Sequence, residues 1–509
     1  MKAFPLINKY IEKALELYFK ISYKHYMVAV SGILKQGGAL LALCLAVFFF
    51  SCRVPQETET GRFVWKTPKR GVSYNFNFPR PNNSDSGPGH NNAAIIEEDM
   101  NLLGPGISWF YSWATSPDSA VSAVADQKKL AFVPMVHRSS SNLDDVRKYV
   151  RAHPDVKYIL AYNEPNFYDQ ANMTPAQAAQ HWPQLKALAR ELGLKIVSPA
   201  MNYGTMTGYS SPTKWLEEFF GTDGNPGFPG VSLNDIDAIA IHQYNDFGDH
   251  VRKYIDRFRK FGKPIWMTEF CAWDDKKGQY FTTPEFQIGF MSQAVIYMEL
   301  DPLVERYAWF IPKGGKFASE GGFPWNKLLT AVDPAASHNL PALTDLGKVY
   351  VNMSACDKTV YFVPGEIISA KDFSSNNISE LVPASPFTAN TKPWQDGVRF
   401  RPTTNTKAGS PALDIEFFMP SNNPNNMWVE YQLDIPETRQ YALTLYYTAS
   451  KDSNMTISID GNSVGAAALD KSDVWTSKTV LLTNVSAGKR VIRLLVTGGN
   501  CVLNWLKVE

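Results

Sequence analysis

The chain has 509 residues, 44% of them hydrophobic, and a formal net charge of +1. That length accommodates two or three domains, and the charge balance points to no nucleic-acid or acidic-membrane partner. Its five cysteines form no Cys-x-x-Cys or Cys/His cluster and its eight histidines no His-Glu-x-x-His helix, so no metal and no cofactor is expected.

The first 52 residues read as an address. Ala39 to Phe50 is an unbroken apolar run, too short to span a bilayer and suited to a signal-peptide core. Met27 is a second candidate start beside Met1, and would leave a signal of ordinary length. The run ends in Phe49-Phe50-Ser51-Cys52, which resembles a bacterial lipoprotein box with Phe49 where Leu is usual. That resemblance implies lipidation of Cys52 and a lipid anchor in the bacterial cell envelope, outside the cytoplasm. An ordinary signal with Cys52 incidental is the alternative. Residues 53–65 read as a polar linker.

From residue 66 to 354 apolar runs alternate with helical patterns. Strands are expected at Val72–Phe76, Ile107–Tyr111, Ala131–Met135, Tyr158–Asn163, Lys195–Pro199, Ala238–His242, Ile265–Glu269 and Arg306–Phe310. Helices are expected at Thr174 to Leu192, stopped by Gly193, at His250 to Phe261, stopped by Gly262, and at Pro284 to Leu300. Eight strands with intervening helices imply an α/β fold, a (β/α)8 TIM barrel.

The fourth strand runs into Asn163-Glu164-Pro165, and Pro165 cannot extend a ladder. The seventh carries Glu269 near its end. Two carboxylates at the C-terminal mouth of such a barrel suit glycosidic cleavage, with Glu164 as acid/base and Glu269 as nucleophile. His242 and Tyr244 leave the sixth strand at the same mouth, where a Tyr244 hydroxyl can orient Glu269; a buried core histidine and a packed tyrosine are the alternatives. Trp309 ends the eighth strand and is a candidate floor for the subsite at the cleavage point. Trp109 and Trp113 flank the second strand as sugar platforms or core, and Trp273 follows the nucleophile as a further cleft candidate.

These segments resemble glycoside hydrolase family 128, whose domain is also called the Asl1-like glycosyl hydrolase catalytic core. The similar stretches include Lys69-Arg70-Gly71-Val72, Ile107-Ser108-Trp109-Phe110-Tyr111-Ser112-Trp113, Phe132-Val133-Pro134-Met135 and Asn163-Glu164-Pro165-Asn166. Val197-Ser198-Pro199-Ala200, Ile241-His242-Gln243-Tyr244, Trp266-Met267-Thr268-Glu269-Phe270 and Glu305-Arg306-Tyr307-Ala308-Trp309-Phe310 continue the series. The resemblance implies an acid/base on strand 4 and a nucleophile on strand 7, where the strand count independently puts Glu164 and Glu269. It implies a hydrogen bond from Asn163 to the sugar 2-hydroxyl; capping of the strand end is the alternative. It also implies β-1,3-glucan as substrate, hence an endo-β-1,3-glucanase acting on polysaccharide or oligosaccharide. A retaining β-glycanase on another polymer, or a surface glycan-binding lipoprotein without turnover, are the competing functions. A monomer is expected.

After residue 354 helical patterns vanish. Short alternating runs at Trp428–Leu433, Tyr441–Tyr447, Thr456–Ile459, Thr479–Leu482, Arg490–Val496 and Val502–Val508 imply an all-β sandwich, jelly-roll-like, over 355–509. Asp460-Gly461-Asn462 marks a hairpin. Ser458-Ile459-Asp460-Gly461, Ser486-Ala487-Gly488-Lys489-Arg490 and Leu503-Asn504-Trp505-Leu506 are similar to carbohydrate-binding module family 6. Modules of that kind carry calcium on acidic residues that are here Ser369, Lys371 and Asn504, and Val502 stands where a sugar-contacting Asn is usual. The resemblance therefore implies a metal-free module of weak or no glycan affinity, with Trp475 as a stacking platform or a buried core residue. Cys356 and Cys501, near the start and end of this part, are either a disulfide or two separate buried thiols.

Overall fold

Short apolar runs bounded by caps and turns form eight strands: β1 (Arg70–Ser73), β2 (Trp109–Tyr111), β3 (Ala131–Phe132), β4 (Tyr158–Leu160), β5 (Lys195–Val197), β6 (Ile239–Asn245), β7 (Ile265–Ala272) and β8 (Val304–Phe310). Between and after them lie α1 (Ala93–Leu103), α2 (Ser119–Lys128), α3 (Leu143–Ala152), α4 (Pro175–Leu192), α5 (Lys214–Phe220), α6 (Gly248–Asp256), α7 (Pro284–Leu300) and α8 (Asp345–Asn352). The computed structural model describes residues 56–57, 63–64, 66–76, 92–222, 225–246, 248–272, 283–314, 325–330, 340–378, 397–418 and 427–509, all within one compact unit, Gln56–Glu509. The expected signal segment, Cys52 and Trp273 lie outside the described residues. Within the expected linker, Gln56–Glu57 and Phe63–Val64 pair as a short antiparallel ribbon.

Local chemistry fixes the element ends. At α4 the Thr174 side chain accepts from the Gln177 N–H, and the Gln177 side chain accepts from the Thr174 N–H in return. Pro175 fills the first turn, and Gly193, at φ 67°, takes the left-handed stop that costs a glycine little.

β6, β7, β8, β1, β2 and β3 form a six-stranded parallel sheet in that order, and β4 pairs with β5 in parallel. Isolated parallel bridges, Met135 to Leu160 on one flank and Val197 to Ala238 and Met201 to Ile241 on the other, link the β4–β5 pair to the two ends of the larger sheet. Alternation along the strands decides which side chains meet the site. On β8, Arg306 and Ala308 lie on the face shared with Trp109 and Trp266, while Tyr307 and Trp309 pack toward Phe270 and the helices.

β7 breaks that alternation. Ile241 pairs with Met267 but the next residue, His242, pairs with Glu269, and the register with β8 also shifts between Met267 and Phe270. The bulge at Thr268 lets Glu269 share a face with Trp266, whereas strict alternation would put it with Met267 on the other.

The C-terminal part is one connected antiparallel sheet of nine strands: β9 (Ile367–Ser369), β10 (Ser375–Asn376), β11 (Gly397–Pro402), β12 (Leu413–Phe418), β13 (Met427–Ile435), β14 (Arg439–Ile459), β15 (Asn462–Leu469), β16 (Ser472–Val485) and β17 (Gly488–Val508). β14 and β17, 21 residues each, run through stretches where the pattern implies two strands apiece. Register shifts between Tyr446 and Met455 keep the ladder bonded across an interruption in the apolar alternation. Asp460 and Gly461 both have positive φ, 48° and 82°, as a two-residue hairpin loop of the I′ kind requires.

The two parts share one continuous apolar core. α7 is the hinge of that packing: thirteen of its seventeen residues are buried. It meets β7 and β8 on one flank, α6 and α8 on others, and β11 of the C-terminal sheet. Ser292 Oγ on α7 accepts from the Phe400 N–H of β11 at 3.1 Å. A helix apolar on every side is buried on every side.

The disulfide alternative is corrected: Cys356 and Cys501 are free, buried thiols. Cys356 lies near Glu299, Ser354 and Arg70, whereas Cys501 pairs with Phe417 on β12 and with Ala449 on β14. Burial pushes both thiols up to about 12, so both stay protonated.

Candidate active site

Glu164 follows β4 in a left-handed backbone conformation that its surroundings hold in place. Its φ is 41°, unusual for a non-glycine residue, and its N–H donates to the Ala200 carbonyl at 3.1 Å. Asn202 Nδ2 donates to Glu164 Oε1 at 3.0 Å, and His242 Nδ1 lies 2.8 Å from the same oxygen. His242 Nδ1 is also 3.4 Å from Glu269 Oε2, so a single imidazole nitrogen bridges both carboxylates.

Glu269 is ringed by donors. Tyr111 OH and Trp113 Nε1 donate to Oε1 at 3.0 and 2.7 Å, and Tyr244 OH donates to Oε2. Burial pushes the Glu269 carboxyl above its ordinary range and the charge of Glu164 adds to this, while His242 and the bonds from Tyr244 and Trp113 act in the opposite sense. Burial works against charge on His242, yet the carboxylates of Glu269 and Glu164 outweigh it and raise its pKa above the ordinary value. The second ring nitrogen, Nε2, is buried and has no hydrogen-bond partner among the described residues.

One atom each from Glu164, His242 and Glu269 lies within 4.8 Å of the others, a donor set that a metal ion could use. On Glu269, however, three O–H and N–H donors already occupy both carboxylate oxygens. An ion there would have to displace them, so the set fits proton and nucleophile chemistry better.

The other candidates divide. Asn163 is buried beside Glu164; its Nδ2 donates to Gln170 at 3.2 Å, and its Oδ1 lacks a hydrogen-bond partner among the described residues. Trp113, half-buried at φ 56°, lies at the site. Trp109 does not: it is 1% exposed, its Nε1 donates to the Lys69 carbonyl at 3.0 Å, and its ring packs 5.3 Å from Trp266 beside Arg306. Trp309 is fully buried on the helix side of β8, with Nε1 donating to the Asn326 carbonyl, so it cannot floor a subsite. Its neighbour Phe310 takes the mouth position, 6.0 Å from the Trp113 ring and 5.2 Å from Tyr244. Tyr111 and Asn202 touch the two carboxylates without having been anticipated. Tyr111 lies within an apolar run, and Asn202 comes from the loop after β5, a strand to which the pattern assigns no functional residue.

In the C-terminal sheet, Lys371 pairs with Asp372. Asn504 is buried and donates to Asp414 at 2.6 Å and Thr403 at 3.1 Å while accepting from Asn405. Trp475 is half-buried and stacks 5.5 Å from Tyr446, which stacks 5.0 Å from Trp505.

Paired carboxylates, Glu164 just past β4 and Glu269 within β7, held by hydroxyl, indole, amide and imidazole groups, suit the hydrolysis of glycosidic bonds. The family described as the glycosyl hydrolase catalytic core matches residues 90–350, just over half of the chain, and the chain belongs to that family. It is similar to Alkali-sensitive linkage protein 1 of Schizosaccharomyces pombe (strain 972 / ATCC 24843), 26% identical over 258 residues, 50% of this chain. The chain spans 41% of the length of that curated relative. Among solved structures it is similar to a subgroup II endo-β-1,3-glucanase of glycoside hydrolase family 128 from Pseudomonas viridiflava: 33% identity, 56% of this chain, 98% of that chain, TM-score 0.44. It is also similar to the Sorangium cellulosum enzyme of the same subgroup: 27% identity, 56% of this chain, 97% of that chain, TM-score 0.42.

Proposed function

We propose that this chain is a retaining endo-β-1,3-glucanase of glycoside hydrolase family 128, exported as a lipoprotein, whose eight parallel strands close as a (β/α)8 barrel. The observation that carries the mechanism is the spacing of the two acids: an oxygen of Glu164 and one of Glu269 lie within 4.8 Å of each other. Retaining enzymes hold their carboxyls ~5–5.5 Å apart, whereas inverting ones leave ~6.5–9.5 Å for a water. The bridges on both flanks of the β4–β5 pair support closure. Membership of the glycosyl hydrolase family and the resemblance of the strand-end motifs to glycoside hydrolase family 128 support the substrate; the apolar run before Cys52 supports export.

In the first step Glu269 attacks the anomeric carbon while Glu164 gives its proton to the glycosidic oxygen. The C–O bond breaks, the aglycone leaves as an alcohol, and a glycosyl ester forms on Glu269. Glu164, now a carboxylate, takes a proton from water as that water attacks the same carbon, which releases Glu269 and the sugar with its configuration retained. Tyr111, Trp113 and Tyr244 hold the nucleophile in one orientation and stabilise its negative charge as the ester breaks.

Substitution Glu164→Ala tests this. Turnover of natural glucan should fall by roughly 10²–10⁴-fold, and far less for an aryl glycoside whose leaving group needs little protonation. Azide added to the variant should yield the β-glycosyl azide. Recovery of the α-azide would mean inversion, and absence of reducing-sugar release by the wild type from any β-1,3-glucan would remove the substrate assignment.

A further inference from the structure

Among the described residues the exposed large aromatic side chains are Tyr168 at 54% and Tyr203 at 48%, on the loops that follow β4 and β5. The first loop carries Glu164; the second carries Asn202, which donates to it. The loops are laced together. Asn166 Nδ2 donates to the Asn202 and Tyr209 carbonyls at 2.8 and 3.2 Å, and the Asn166 carbonyl accepts from Met206 N–H at 2.9 Å. Tyr168 N–H donates to Thr205 Oγ1 at 3.2 Å, and its hydroxyl donates to Thr207 Oγ1 and accepts from the Thr207 N–H. Gly204 permits this closeness, since a Cβ there would sit 2.4 Å from the Asn166 side chain and carbonyl. The Tyr203 ring is fixed as well: the Arg257 guanidinium lies 5.5 Å from its centroid and Tyr254 packs 5.5 Å away.

The loops are thus cross-linked, yet each leaves a tyrosine exposed to solvent. We propose that Tyr203 and Tyr168 form the platform for the departing part of the chain, the β-linked glucosyl units on the reducing side of the cut. Glu164 must reach the oxygen that leaves with those units, so they lie on its side of the cleft. The Glu269 side, where the anomeric carbon must sit, is lined by Tyr111, Trp113, Tyr244 and Phe310, which are buried or half-buried. A β-glucosyl ring has two faces of axial C–H bonds, and an exposed phenol ring is the surface on which such a face loses water most readily. This rests on glucan hydrolysis as proposed above and adds where the aglycone binds.

The test compares kcat/KM for a long β-1,3-gluco-oligosaccharide with that for an aryl β-glycoside whose aglycone is one nitrophenyl group. Tyr203→Ala and the double variant with Tyr168→Ala should lower the ratio of long to aryl substrate by roughly 3- to 10-fold and by more, respectively. They should do so mainly through KM, and transfer of the glycosyl ester to added laminarioligosaccharide should fall in parallel. Tyr203→Phe, which keeps the ring, should keep the ratio. Melting curves of every variant identify any that fails to fold, and in that event the Tyr203→Trp ratio, expected to be at or above wild type, decides. An active wild type whose ratio is unmoved by Tyr203→Ala, or both rates falling equally, would overturn the platform alone. A wild type inactive on every β-linked substrate would overturn the proposed function and this assignment with it.

Discussion

Two clusters of buried charge share this protein, and they are built in opposite ways. At the opposite end of β1 from the mouth, Arg70 is fully buried and every guanidinium nitrogen is used: Nε on Tyr307, Nη1 on the Tyr350 and Met353 carbonyls, Nη2 on Glu299 and the Ser354 carbonyl. Glu299 in turn accepts from Thr67 and Tyr307. At the mouth, two carboxylates share one imidazole nitrogen, while His242 Nε2 and Asn163 Oδ1 have no hydrogen-bond partner among the described residues. A saturated cluster has one stable protonation state and holds the fold. An unsaturated one keeps donors and acceptors open for a sugar and a mobile proton.

The largest effect should come from Glu269→Gln. Turnover should fall by several orders of magnitude, since no other carboxylate stands in its place. The same variant sharpens the contrast in stability. The Glu269 carboxyl in the folded state titrates above its ordinary 4.5. The folded wild type therefore keeps a proton that the unfolded chain has lost, and its stability declines as pH rises through 4.5 toward the folded value. The melting-temperature difference between variant and wild type should move in the variant's favour across that window; a difference independent of pH would break the comparison.

Arg70→Ala should act the other way, costing about 3–5 kcal/mol in chemical denaturation because Glu299 is left buried and uncompensated. Folded Arg70→Ala protein should retain kcat, since no atom of the cluster touches the site; a loss of activity without loss of stability would show that the two clusters are coupled. A smaller effect is expected of Tyr244→Phe. Removing one charge-assisted bond from Glu269 should lower kcat/KM by roughly 10- to 100-fold with the fold intact.

Much of this was legible in the sequence because it depends on local pattern. All eight strands of the first part lie where apolar runs meet turn residues, and Thr174, Pro175 and Gly193 mark α4 at both ends. That Glu164 and Glu269 would meet was legible from where they fall in their apolar runs. What failed was parity. Trp309 is the more conspicuous aromatic of β8, but the side chain that reaches the mouth is one residue on, at Phe310. Glu269 reaches the mouth only through the bulge at Thr268, which no periodicity announces. Asn202 was invisible for a different reason: it meets Glu164 across two loops, and such a contact has no sequence spacing. In the C-terminal sheet the small residues of β15, Gly465 to Ala468, carry no alternation, so that strand was missed.

α7 has no side that faces water along most of its length. In an ordinary surface helix the positions that face water accept substitution at little cost to stability. Here a change at Phe290 must suit Trp309 and Phe270, while a change at Ser292 must suit the backbone of β11. Each position answers to the catalytic strands, the neighbouring helices or the C-terminal sheet. A substitution in this helix is therefore felt by both parts of the chain at once. Transplanting either onto a foreign partner would require rewriting this one helix along with it.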